Sequence, residues 1–226
     1  YRRQRQMCIR DRIPVHVERF IHIFNFLKDK DYRYAITTDV KDVVFQKNPV
    51  EYLQNVIGEE DSYADCRNLV FSSESMLYKD EPWGNENLLQ TFGPYIHNIF
   101  KENEIFNVGV LAGRSHAVAD MALNIFTAAI NRPIPICDQS TFNFMISQSP
   151  YIETSVYLRS EDAWAAQLGT TADPSKIETF RPLLLEAEPK MEDGKVVTST
   201  GNEFTIVHQY DRIPEWRSII EAKYGD

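Results

Sequence analysis

The residues of this chain best suited to chemistry are two carboxylates three positions apart, Asp39 and Asp42. They follow the short apolar run Tyr34-Ala35-Ile36, which reads as a buried strand, so Thr37, Thr38 and Asp39 fall at a strand's carboxyl end. Open α/β sheets bind ligands at that place. Behind Asp42 the apolar Val43-Val44-Phe45 anchors the turn, and Asn48-Pro49 stops any regular element. Hard divalent cations such as Mg²⁺ or Mn²⁺ take oxygen ligands and bridge one or two carboxylates to substrate phosphates, so the spacing suits a metal–diphosphate site. The same residues also read as a solvated loop whose aspartates cap a turn.

The elements that must position these acids can be read on either side of them. Pro14 opens a helix in which Val17, Phe20, Ile21, Phe24 and Leu27 form one apolar stripe; Glu18, Arg19, Asn25 and Lys28 are predicted to face away, with His16 and His22 as ordinary histidines beside the stripe. Residues 51–57 read as a short helix, and residues 69–73 as a second buried strand that delivers Ser72, Ser73 and Glu74 at its end. Residues 81–87 read as a loop carrying Trp83. Residues 105–113 read as a buried strand interrupted by Asn107, whose amide must find a partner, and Gly109, which lets another group approach the backbone.

Ser115 opens a helix with the stripe Val118, Met121, Ala122, Ile125, Phe126 and Ala129, and Asp138-Gln139 begins another after Pro133 and Pro135. A strand is expected over 151–158 and a short helix over 160–168. Asp193-Gly194 and Gly201-Asn202 are turn signals within a late meander that ends in Ile206-Val207-His208. His208 is thus delivered at a strand end, as Asp39 is.

The run Thr38-Asp39-Val40-Lys41-Asp42-Val43-Val44-Phe45-Gln46-Lys47-Asn48-Pro49 resembles the DxD-type motif of GT-A glycosyltransferases, departing from it in the Asp-x-x-Asp spacing. Phe106-Asn107-Val108-Gly109-Val110, Asp138-Gln139-Ser140-Thr141-Phe142-Asn143 and Val207-His208-Gln209-Tyr210-Asp211-Arg212 agree with the same family in the same order. The resemblance, over residues 13–217, implies an α/β chain with a mixed, Rossmann-like GT-A sheet flanked by helices. It implies a divalent cation, Mn²⁺ or Mg²⁺, held by Asp39, Asp42 and His208. It places Asp138, Gln139 and Glu74 in the catalytic wall, and Thr38, Asp39, Asn107, Gly109 and Trp83 against the donor sugar. The partners implied are a nucleotide-diphosphate sugar and the hydroxyl of a carbohydrate or glycoconjugate acceptor. Trp83 suits stacking on a sugar's apolar face, or it plugs the core. A GT-A domain places strand–helix–strand units ahead of its acidic motif, whereas only residues 13–33, one helix, precede it here. The expectation is therefore one GT-A-like domain over 13–226, truncated at its N-terminus. Two rivals are a non-catalytic nucleotide-sugar-binding module on the same fold and a metal-dependent phosphohydrolase, which calls for a richer Asp and His cluster.

Composition sets the outer limits. The chain has 226 residues, 43% hydrophobic, enough for a sizeable core, and 24 basic against 33 acidic side chains, which disfavours nucleic acid as a partner. Residues 1–12 hold five arginines and one aspartate without any periodicity and resemble translated adapter sequence, so they are read as foreign to the fold. Cys8, Cys66 and Cys137 lack metal-ligand spacing and read as reduced, with Cys66 and Cys137 buried. No run approaches the ~18 apolar residues of a membrane span. These features make a soluble, cytoplasmic protein the expectation, with a leader or anchor lost upstream as the alternative.

Overall fold

The computed structural model describes residues 13–58 and 67–225, so the expectations for residues 1–12 and for Cys66 lie outside it. The chain is a mixed α/β protein. Its central sheet has four strands in the order β1 (Tyr34–Thr38), β4 (Glu104–Arg114), β3 (Leu69–Leu77), β5 (Ser155–Leu158). β4 runs antiparallel to both β1 and β3, while β3 and β5 are parallel.

One face of this sheet is covered by α1 (Val15–Leu27), α4 (Ser115–Ala129) and α5 (Asp138–Ile146). Phe20, Leu27, Val118, Met121, Ile125 and Phe142 pack there on Phe71, Phe106 and Leu111. These are the stripes the helical spacing marked, and each fully buried side chain contributes roughly 1.5–3 kcal/mol. The other face takes α2 (Pro49–Ile57), capped by the Asn48 side chain accepting from Val50 N–H, together with a second sheet. That sheet, in the order β2 (Val43–Phe45), β9 (Ile206–His208), β6 (Ala165–Gln167), pairs β9 antiparallel to β2 and parallel to β6.

Tertiary pairing overrides local preference in several places. The helix expected over 160–168 is a short turn followed by β6, because Ala163 adopts a left-handed φ of 56° and the next residues join the β9 ladder. β6 is followed by the single-turn α7 (Leu168–Thr171). The strand expected over 151–158 begins as a helical turn, α6 (Tyr151–Thr154). The expected Trp83 loop is the start of α3 (Pro82–Phe100), with Glu81 capping Gly84 N–H and Pro82 in the first turn; the helix kinks at Gly93-Pro94. Late in the chain, after the short α8 (Ile177–Phe180), Asp193-Gly194 turns the hairpin β7 (Lys190–Glu192) to β8 (Lys195–Val197). β9 leaves that hairpin for the second sheet, and α9 (Pro214–Tyr224) follows.

The β3–β4 ladder is irregular where it matters most. Between the pairs Phe71↔Leu111 and Ser73↔Phe106, two steps along β3 span five along β4. Between Ser73↔Phe106 and Leu77↔Glu104 the excess lies on β3, and Ser75 takes a φ of 54° there. Bulges re-aim side chains. These two turn Asn107, Gly109 and Glu74 toward one cleft, so Glu74 sits within a long buried strand rather than at its end as expected.

Candidate metal and ligand site

The acidic turn is clamped at both ends by backbone bonds. Asp39 N–H donates to Gly109 O at 3.0 Å, extending the β1–β4 ladder by one residue, and Gln209 N–H donates to Asp42 O at 2.7 Å beside β9. His208 ends β9 directly opposite Val43. Its Nε2 stands 3.4 Å from Asp39 Oδ2 and 3.9 Å from Asp42 Oδ1. One ligand atom from each of the three lies within 4.8 Å of the others.

The His208 side chain is 1% exposed, and its Nε2 has no hydrogen-bond partner among the described residues. A buried nitrogen left unpaired in front of two carboxylates is costly unless a cation or a water lies between them. Two carboxylates and one imidazole are an ordinary donor set for Mn²⁺ or Mg²⁺. The residues present fit a divalent ion.

Arg19 enters the same site from α1, contrary to its expected outward position. Its Nη1 donates to Asp39 Oδ1 at 2.6 Å and its Nη2 to Asp138 Oδ2 at 2.9 Å, so a single guanidinium joins the acidic turn to the start of α5. Burial acts to raise the Asp39 pKa, and the Arg19 charge acts to lower it. Asp39 thus turns Oδ1 to Arg19 and Oδ2 to the cluster.

A cleft of about 840 Å³ surrounds these groups. Asp39, Asp42, Glu74, Trp83, Asn107, Gly109, Asp138, Gln139 and His208 all line it, whereas Thr38 does not; that residue ends β1 opposite Val110. Trp83 is half exposed at the cleft wall rather than in the core, and His16, expected as an ordinary histidine, joins Arg19 in the lining. Glu74 is a hub: Oε1 accepts from Asn107 Nδ2 at 2.7 Å and Gln139 Nε2 at 2.9 Å, and Oε2 from Thr170 Oγ1 at 2.9 Å. Burial pushes its pKa up against the pull of these donors. With both oxygens engaged, Glu74 organises the wall instead of presenting a free carboxylate.

The sequence reading missed Arg19 and Thr170, along with Gln167 behind His208. Arg19 follows His16 by three residues on a helix, a shared-face spacing that could have marked it. A lone amide in Trp164-Ala-Ala-Gln-Leu168 was the signal for Gln167.

A second cavity of about 520 Å³, lined by Tyr78, Leu88, Phe100 and Phe144, is apolar, and its Glu104 and Arg159 are paired with each other. Cys137 is a buried free thiol, as expected. No helix among the described residues is long and apolar enough to cross a membrane. Among known proteins, no family model and no curated sequence matches this chain.

Proposed function

We propose that this cleft performs metal-dependent glycosyl transfer from a nucleotide-diphosphate sugar to an acceptor hydroxyl, on a GT-A-type fold. The observation that carries the reading is the Asp39–Asp42–His208 cluster with its unpartnered imidazole nitrogen, set in a cleft large enough for a nucleotide sugar. A divalent cation held there supplies positive charge to a departing diphosphate.

The chain's own residues account for the rest of the site. Asp39 and Asp42, clamped to β4 and β9, keep two carboxylates aimed at one point without further ordering. Arg19 holds Asp138 at a fixed place beside them, where a carboxylate can accept from a sugar hydroxyl. Glu74 locks the Asn107 and Gln139 amides into one wall. Trp83 offers an exposed apolar plate at the same wall. Preorganised positioning of this kind is a large part of transfer catalysis.

A two-metal phosphohydrolase is the runner-up. Among the described residues the trio is the single cluster of its kind, which favours the one-metal reading. The test is release of nucleoside diphosphate from a panel of nucleotide sugars with Mn²⁺, set against phosphate release from simple phosphoesters. Nucleoside diphosphate release that Asp42→Ala and chelation both abolish is expected. Phosphate release alone, or turnover indifferent to chelation, would overturn the proposal.

A further inference from the structure

Gln167 and Ser72 lie in line behind His208, on the side away from the acidic turn. Gln167 ends β6, and the parallel ladder sets it in register with His208 on β9. Its Oε1 lies 2.7 Å from His208 Nδ1, and its Nε2 donates to Ser72 Oγ on β3 at 2.8 Å. Gln167 and Ser72 are each 2% exposed and His208 1%, so solvent does not compete for these contacts.

The chemistry of the pair is one-sided. An amide oxygen only accepts, so the proton shared across this contact belongs to Nδ1. The neutral ring then carries no hydrogen on Nε2, and that lone pair is the one facing Asp39 and Asp42. An amide can turn end for end, and here its –NH₂ end lies on the Ser72 oxygen and its carbonyl end on the histidine. Had the amide been reversed, Nδ1 would be bare, and an Nε2–H would point at the carboxylates where a cation would sit.

We propose that Gln167, hydrogen-bonded to Ser72, is a positioning residue that holds His208 in its Nδ1–H tautomer and so presents Nε2 as a ligand to a divalent cation. The inference rests on the metal-site reading above. Partners behind a ligating histidine fix its tautomer and ring orientation, and losing one costs about 10–100-fold in metal affinity.

The first experiment needs no variant at Gln167. Long-range ¹H–¹⁵N spectra of metal-free protein labelled at histidine, taken at mildly alkaline pH, distinguish bare from protonated ring nitrogens. The His208 signals are assigned by their loss in His208→Ala. A protonated Nδ1 and bare Nε2 are expected, and the opposite tautomer would overturn the proposal.

The second experiment is calorimetric titration with Mn²⁺ of the wild type, Gln167→Met and Gln167→Glu. The methionine variant keeps the bulk but loses the acceptor, so its affinity should fall about 10–100-fold. The glutamate variant keeps an acceptor for Nδ1–H and should recover most of that loss. Equal affinity in the methionine variant and the wild type would overturn the role of Gln167. A wild type that takes up no Mn²⁺ while showing the Nδ1–H tautomer would overturn the metal reading and leave the hold of Gln167 on the ring standing.

Discussion

A methyl group added to Gly109 would stand 2.7 Å from His208 Cε1. The same atom would meet Asn107 Oδ1 at 2.8 Å and Asp39 Oδ2 at 3.0 Å, so one missing side chain leaves room for three groups of the site. Gly109→Ala should therefore push the cluster apart, with an overpacking cost of roughly 1–3 kcal/mol. Calorimetric titration with Mn²⁺ should show weakened binding in a variant that remains folded. Unchanged affinity would mean that the cluster geometry is not what binds the ion.

Arg19 is the sole charge joining Asp39 to Asp138 in the described hydrogen-bond network. Breaking a fully buried pair costs about 3–5 kcal/mol. Asp39 is 39% exposed and Arg19 30%, so solvent screening brings the expected loss for Arg19→Gln down to about 1–2 kcal/mol. Lysine should restore little, because a single ammonium cannot fork to two carboxylates. A double-mutant cycle with Asp138→Asn, followed by urea unfolding, should be clearly non-additive. Additive losses would show that the bridge has no energetic content.

Asp138 belongs to the cleft but not to the Asp39–Asp42–His208 cluster. Asp138→Asn keeps the shape and removes the charge that pairs with Arg19. Turnover should fall on the order of 10²-fold, as for other small misplacements of reacting groups, with Mn²⁺ affinity nearly constant. Parallel loss of both would move Asp138 into the metal's own coordination.

Glu74 carries a testable pH signature. Its pKa is raised in the fold above the ordinary 4.5, mainly by burial. The unfolded chain therefore ionises first, and the folded wild type loses stability as pH rises from about 4.5 through the raised value. Glu74→Gln does not titrate. Its stability relative to the wild type should climb with pH over that window and then level off, as read by urea unfolding at a series of pH values. A difference that stays flat or shrinks with pH would show that Glu74 is not destabilised as an anion in the fold.

The acidic turn was legible in the sequence because everything that makes it is local: an apolar run ending at Asp39, an anchor at Val43-Val44-Phe45, and Asn48 capping α2. The stripes of α1 and α4 were legible for the same reason, since a period of 3.6 residues needs no knowledge of the partner. His208 could be placed at a strand end, but its meeting with Asp39 depends on β9 pairing with β2, which only the tertiary structure decides. Arg19 was read as outward because apolar periodicity describes which face of a helix is buried and is silent about a long cation at that face's edge. Residues around Gln167 favour a helix in isolation, and the parallel ladder with β9 makes them a strand. Glu74 and Asn107 meet because complementary excesses in β3 and β4 re-aim both side chains, and no short-range pattern encodes a bulge shared by two strands. Local pattern therefore marked Asp39, Asp42 and His208, while long-range strand register brought them together and chose the groups around them.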